Sequence, residues 1–369
     1  MENLSYFKLN KTLDNPLRIF FLCGSYFNPG EQDKVDKRII LKKYIESINS
    51  NFKCLILEEN FMFSSRNNKL NYNDIQLKSL KSIELITSLM SDKVIILHES
   101  ISTAAEIGLF SSEKIINDKL IVLAPDIFSS EEDLISGFMK LAYANKFYSA
   151  NNLNIIRYFP GQFFYEISSE LIKPHFYFVN NVLGDNLQNK INNLIDFKCN
   201  TIKITKQNYL NANNNRVSKY TVDNKNINVT LTLDNLVTLL ISLFTVDIIK
   251  SDLRSPITKL EGDNITKRRR VFHKTIDILK KNFISFMARS IESEVPLKSE
   301  EINVSTNYSD INISQAIGYF VYVMYAIGMI NIGSQNTKLT ISNEFDSVLT
   351  EYSDLIVTPS GGLTEVLNS

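Results

Sequence analysis

The sequence predicts an α/β amino-terminal domain, a parallel sheet flanked by helices, followed by a mostly helical carboxyl-terminal region. Three observations carry this expectation. Strand and helix signals alternate between residues 19 and 148, the pattern of a sheet covered by helices. At Asn151 the texture changes, becoming aromatic-rich over 150–180 and dense in asparagine over 206–229. From residue 231 onward helical runs dominate until a hairpin pattern closes the region.

Taken in order, residues 19–22 form a short apolar strand that runs into the turn Cys23-Gly24-Ser25. Residues 35–48 have helical spacing, with Ile39, Ile40, Tyr44, Ile45 and Ile48 on one face. A second strand over 52–57 ends in Glu58-Glu59-Asn60, and a helix over 77–90 follows. The third strand, 94–97, ends in His98-Glu99-Ser100 and leads to a helix holding Glu106 and Gly108. A fourth strand at 120–124 and a helix over 126–148 complete a first domain, 1–150. Residues 151–230 read as a linker or accessory region, whose asparagine-dense part is an exposed loop or hairpin. Residues 231–357 read as a helical domain, with helices at 231–250, 267–289 and 313–330. A hairpin at 331–341 gives the pattern of a winged helix-turn-helix, and 358–369 reads as a flexible tail.

Composition narrows the function classes. The 369 residues carry 40 basic and 40 acidic side chains, so no global field steers the chain toward nucleic acid or an anionic membrane. Three scattered cysteines and three histidines, with no CxxC, argue against a disulfide framework or a metal site. The amino terminus lacks the order of a secretion signal, which makes the cytoplasm the expected location. No charge interrupts residues 311–337, but the apolar stretch 316–330 is shorter than the roughly 20 residues a bilayer needs. It reads as a buried helix. Against the neutral total, residues 251–290 hold ten Lys or Arg and four Asp or Glu, a net of +6. Lys267, Arg268, Arg269, Arg270 and Lys274 therefore form the candidate nucleic-acid or partner surface, weighed against an ordinary solvated helix face.

The most informative stretch is residues 80–125, a βαβ unit with acidic and hydroxyl residues at the carboxyl end of a strand, where open α/β sheets place their ligands. Glu106 is the leading candidate. Thr103-x-x-Glu106 also fits a capping box, in which the glutamate merely satisfies backbone donors at its helix start.

Several pieces in fixed order resemble the nucleoside-deoxyribosyltransferase-like effectors encoded beside retron reverse transcriptases. They are the strand running into Cys23-Gly24, Arg38 on the first helix, Glu59 after the second strand, Glu84 and Asp92. The blocks Val94-Ile95-Ile96-Leu97-His98-Glu99-Ser100, Ala105-Glu106-Ile107-Gly108-Leu109-Phe110-Ser111 and Lys119-Leu120-Ile121-Val122 complete the pattern. The chain departs from it where a proline usually precedes the acid after the second strand, since Glu58 stands there, and where Ser102 or its neighbours replace a loop glycine.

The resemblance implies a flavodoxin/Rossmann-like fold and an N-glycosidase that hydrolyses NAD as its substrate, with no cofactor and no metal. Glu106 would be the nucleophile, with Glu99, placed to hold the ribose hydroxyls, and Asp92 as further catalytic residues, a role weighed for Asp92 against capping or terminating the preceding helix. Cys23, Gly24, Ser25, Arg38, Glu59, Glu84, Ser100 and Thr103 would line the substrate. It further implies a reverse transcriptase and multicopy single-stranded DNA as inhibitory partners, in an oligomer or higher-order complex without a membrane. A deoxyribosyltransferase or N-glycosidase acting on other nucleotides is the close alternative. A non-catalytic nucleotide-sensing, DNA-binding regulator is the distant one.

Overall fold

The computed structural model describes residues 5–24, 36–58, 80–125, 155–159, 165–167, 170–172, 177–179, 182–195, 200–207, 217–258, 261–295, 298–308, 310–333 and 335–358. The helix expected over 126–148 and the tail after 358 lie outside these residues. The chain forms two compact units. One comprises Leu17–Ser64 and Ser79–Lys198; the other comprises Met1–Pro16, Ser65–Lys78 and Cys199–Ser369.

In the first of these, five strands pair in parallel: β1 (Arg18–Cys23), β2 (Phe52–Leu55), β3 (Lys93–Leu97), β4 (Leu120–Pro125) and β5 (Ile155–Tyr158). Their spatial order is 2-1-3-4-5, a doubly wound order whose switch point falls between β1 and β3. All six residues of β1 are buried, as a strand covered on both faces must be.

Alternation along the strands sends Phe20, Leu22, Ile95 and Leu97 to one face, where α1 (Lys37–Ile48) adds Leu41 and Ile45. The opposite face meets α2 (Leu80–Met90), α3 (Ile101–Ser112) and the short α4 (Lys114–Asn117); Phe21 packs edge-on to Phe110 there, 6.1 Å between centroids. Helix α5 (Asp185–Leu194) seats Leu187 and Ile191 in the same cluster as Phe20. The expected boundary at residue 150 therefore moves. Residues 155–158 and 185–194 belong to the core of this unit, since Ile156, Tyr158, Leu187 and Ile191 are buried in its central cluster.

The second unit is less helical than its sequence suggests. It carries a five-stranded mixed sheet of β6 (Asn200–Lys206), β7 (Ser218–Asp223), β8 (Asn226–Leu231), β9 (Glu301–Thr306) and the strand Asn10–Leu13 at one edge. The asparagine-dense stretch supplies β7 and β8, which turn at Asn224 in a left-handed conformation (φ 51°) that asparagine tolerates. Residues 208–216 lie outside the described set.

Helices α6 (Leu233–Leu243), α7 (Asp247–Arg254), α8 (Asn264–Glu294) and α9 (Ile313–Ala326) follow. The apolar run is the buried helix α9, whose 14 residues rise only about 21 Å. No helix among the described residues is long and apolar enough to cross a membrane. After α9 comes the expected hairpin, Ile330–Ile332 paired with Leu339–Ile341, and then α10 (Asn343–Leu349).

Candidate active site at the sheet switch point

Strands β1 and β3 part at their carboxyl ends, and α1, α2 and α3 bring side chains to that edge. Helix α3 starts with a capping box, but not the expected one. Ser100 is the N-cap, its hydroxyl accepts from the Thr103 backbone N–H, and the Thr103 hydroxyl accepts from the Ser100 N–H. Thr103 is fully buried, and its hydroxyl also lies 2.9 Å from His98 Nδ1. The Ser100 and Thr103 hydroxyls, expected to meet substrate, thus serve the helix start.

The consequence for Glu106 is direct. It sits one turn further along α3, free of the cap, and its Oε2 is buried with no hydrogen-bond partner among the described residues. Burial, then the charges of Glu84 and Glu58, push its carboxyl up to about 8, with Arg38 pulling the other way. Glu84 on α2 is pushed up to about 7, by burial first and Glu58 second. Cys23, at the end of β1, has its thiol held well above its ordinary value by burial and then by Glu106, Glu84 and Glu58. It is a neutral wall rather than a nucleophile.

Arg38 corrects an expectation. Its side chain is 1% exposed, and its guanidinium donates to Asp36 through Nε (3.2 Å) and Nη2 (3.0 Å) and to Glu58 through Nη1 (2.8 Å). A phosphate would have to displace two carboxylates to reach it. At Gly24 a Cβ would stand 2.8 Å from Arg38 Cδ. Its missing side chain makes room for the arginine. Ser25 and Glu59 lie outside the described residues; Glu58, passed over in favour of its neighbour, makes the ion pair.

Glu99 belongs to a separate cluster. It pairs with Lys37 and accepts from the Tyr158 hydroxyl, while Lys37 Nζ stands 5.1 Å from the Tyr158 ring centroid and 5.8 Å from that of Phe178. Burial, then Glu99, holds the Tyr158 hydroxyl far above its ordinary value, so it remains a donor.

Asp92 is at the wrong end of the sheet for chemistry with Glu106. Its N–H donates to the Ile19 carbonyl (2.8 Å) and its Oδ2 accepts from the Ile19 N–H (3.0 Å), closing the amino-terminal end of the β1–β3 pair. The length of β3, about 16 Å at ~3.3 Å per residue, separates it from the site.

Asp36, Lys37, Glu58 and Tyr158 were therefore missed in the sequence. Asp36 and Lys37 immediately precede Arg38, Glu58 adjoins Glu59, and Tyr158 lay beyond the assumed boundary. Among the described residues no group of His, Cys, Asp and Glu could hold a metal ion.

In the second unit the basic run occupies the first two turns of α8, behind the N-cap Asp263. Arg269 and Arg270 are exposed, and Lys267 and Arg268 are half-buried. Cations at a helix amino terminus oppose the macrodipole, so helix stability does not explain the run. Lys274 is half-buried like Lys267 and Arg268, and its ammonium donates to the Ser255 carbonyl (2.7 Å) and hydroxyl (2.6 Å) at the end of α7.

No curated protein matches the chain. A model of the STM3845 retron effector protein family matches residues 34–268, from just before α1 through the α/β unit and into α8. That span is more than half of the sequence, and the chain belongs to the STM3845 retron effector protein family.

Proposed function

We propose that this retron effector is an anti-phage N-glycosidase of nucleoside-deoxyribosyltransferase-like character that cleaves NAD through Glu106. The observation that carries the reading is the buried Glu106 Oε2, which meets no hydrogen-bond partner among the described residues. A carboxylate in that position suits an oxocarbenium-like transition state, first as a stabilising anion and then as a nucleophile. Glu106 attacks the ribosyl C1′, the bond from C1′ to the pyridinium nitrogen breaks, and its electron pair neutralises the departing nicotinamide. Water then hydrolyses the glycosyl ester, releasing ADP-ribose, a proton and the free carboxylate. The nicotinamide of NAD leaves as a neutral ring and needs no acid.

Nucleophilic attack requires the ionised form, so the rate rises with pH toward the Glu106 midpoint of about 8. The test is nicotinamide release by the purified chain. Release by the wild type that is lost in a folded Glu106→Gln variant supports the reading, and saturable NAD binding without release defeats it in favour of a sensor.

A second reading draws on Glu84. A carboxyl titrating near 7 retains a proton at neutral pH and can protonate a neutral purine as it leaves, as a nucleoside or nucleotide deoxyribosyltransferase requires. Preference for a purine nucleoside over NAD, abolished by Glu84→Gln, would decide for it.

The second unit, with its helices and hairpin, serves in this proposal as a winged module that docks the effector to its reverse transcriptase and multicopy single-stranded DNA. Phosphate contacts concentrate on Lys267, Arg268, Arg269 and Arg270. Neutralising Arg269 and Arg270 should weaken single-stranded DNA binding and flatten the slope of log K against log salt by about 1 for each arginine replaced. An unchanged slope removes the patch from the proposal.

A further inference from the structure

Arg38 has no task at the substrate in the account above, yet it is the most completely enclosed cation of the site. Enclosing a guanidinium costs several kcal/mol of hydration unless fixed partners replace the water. Here they do. Asp36 takes two of its nitrogens at 3.2 and 3.0 Å, and Glu58 takes the third at 2.8 Å.

The backbone on its other side is cut to fit, since any side chain at position 24 would collide with Arg38 Cδ at 2.8 Å. Among the described residues, the charged and titratable groups felt by Glu106 are Glu84 from α2, Glu58 following β2 and Arg38 from α1, and the neutral Cys23 thiol closes the end of β1. Arg38 is the cation in that set, and it reaches Glu58 directly.

We propose that Arg38 is a positioning residue: clamped by Asp36 and given room by Gly24, it holds and neutralises the Glu58 carboxylate, and so governs how readily Glu106 carries negative charge. Glu58 acts against the nucleophile and Arg38 acts for it, through one ion pair. The inference rests on the proposed role of Glu106 for its consequence in the reaction, but the coupling of charges is measurable without any turnover.

The experiment follows the Glu106 carboxyl carbon by NMR in the full chain labelled with carboxyl-¹³C glutamate, the resonance being assigned by its loss in Glu106→Gln. From a midpoint near 8, Glu58→Gln should lower it by about one unit and Arg38→Met should raise it by a similar amount. The double variant Arg38→Met/Glu58→Gln should return it close to the wild-type value.

Gly24→Ala, which displaces Arg38 while keeping every charge, should raise the midpoint by a smaller step. Nicotinamide release at pH 7 should follow the ionised fraction, rising about fivefold in kcat/KM for a midpoint lowered by one unit and falling about tenfold for one raised by one unit. A merely structural role predicts uniform loss of activity at every pH and no rescue in the double variant.

If Arg38→Met does not fold, Glu58→Gln and Gly24→Ala decide alone, because their expected shifts have opposite signs. Midpoints within about 0.2 unit of wild type in both overturn the proposal. If nothing is cleaved but the shifts appear, the coupling stands and the glycosidase reading falls. If NAD is cleaved with unmoved midpoints, the reverse holds.

Discussion

Glu99 and Glu106 stand seven residues apart on either side of the start of α3, and the fold treats them in opposite ways. Glu99 is half-buried, and its Oε1 is met by both the Lys37 ammonium and the Tyr158 hydroxyl. Glu106 is enclosed among other acids with one oxygen unanswered. A satisfied buried carboxylate stabilises the place where it sits. An unsatisfied one is held there by the rest of the structure, and such a cost persists where function requires it.

The sharpest break in that comparison is substitution of each acid by its amide. Glu106→Gln should cut nicotinamide release by about 10³-fold or more, since loss of a nucleophile removes the covalent route. The same change should stabilise the fold at alkaline pH. A carboxyl raised from 4.5 to about 8 binds its proton more tightly when folded, so stability is full below the unfolded value and falls as pH rises toward the folded one. The variant escapes that loss, and its advantage should grow from pH 5 to pH 8 toward a few kcal/mol, on the order of 1.4 kcal/mol per unit. Thermal denaturation across that range reads it, and a pH-independent difference would contradict the assignment.

Glu99→Gln should do the reverse. By removing the charge that the Lys37 ammonium and the Tyr158 hydroxyl both donate to, it should destabilise the α/β unit by about 1–3 kcal/mol and change the pH profile of turnover little. Denaturant titration beside a pH–rate profile separates the two effects. Asp92→Ala, at the opposite end of the sheet, removes the acceptor for the Ile19 N–H. It should cost about 1–2 kcal/mol in the same titration and leave the midpoint of the rate profile in place. A shifted midpoint would restore Asp92 to the chemistry. Least of all, Ser100→Ala should cost about 1 kcal/mol through loss of the cap, with kcat within a few-fold of wild type.

The contrast also explains what the sequence could and could not convey. The parallel sheet was legible because strands buried on both faces must be written as apolar runs such as Ile19-Phe20-Phe21-Leu22 and Val94-Ile95-Ile96-Leu97. The helix of residues 37–48 was legible because its apolar residues recur on one face.

The five-stranded sheet of the second unit was not, because β6 and β9 alternate lysine, glutamate and asparagine with single apolar residues in segments of six or seven. Polar strands of that length look like loops until a neighbour pairs with them. The α/β domain was ended too early for a similar reason, since Ile155–Tyr158 is four residues long and becomes a strand only against β4.

At the site, spacing drew attention to Glu106 but offered Thr103 as the start of its cap, where the structure has Ser100. That choice depends on which hydroxyl the backbone presents to Thr103, a matter of conformation rather than pattern. Nor could it reveal that Arg38 is consumed by Asp36 and Glu58, because burial is decided by the strand and helix packed over it.

The most direct test of the central claim is to trap the glycosyl intermediate. An NAD analogue bearing fluorine at the arabino 2′ position slows hydrolysis of the ester more than its formation, so the covalent enzyme accumulates and can be mapped by peptide mass spectrometry. The account predicts the ADP-fluoroarabinosyl group on Glu106. Its recovery on Glu84 or Glu99, or turnover of the analogue with the chain unmodified, would contradict it.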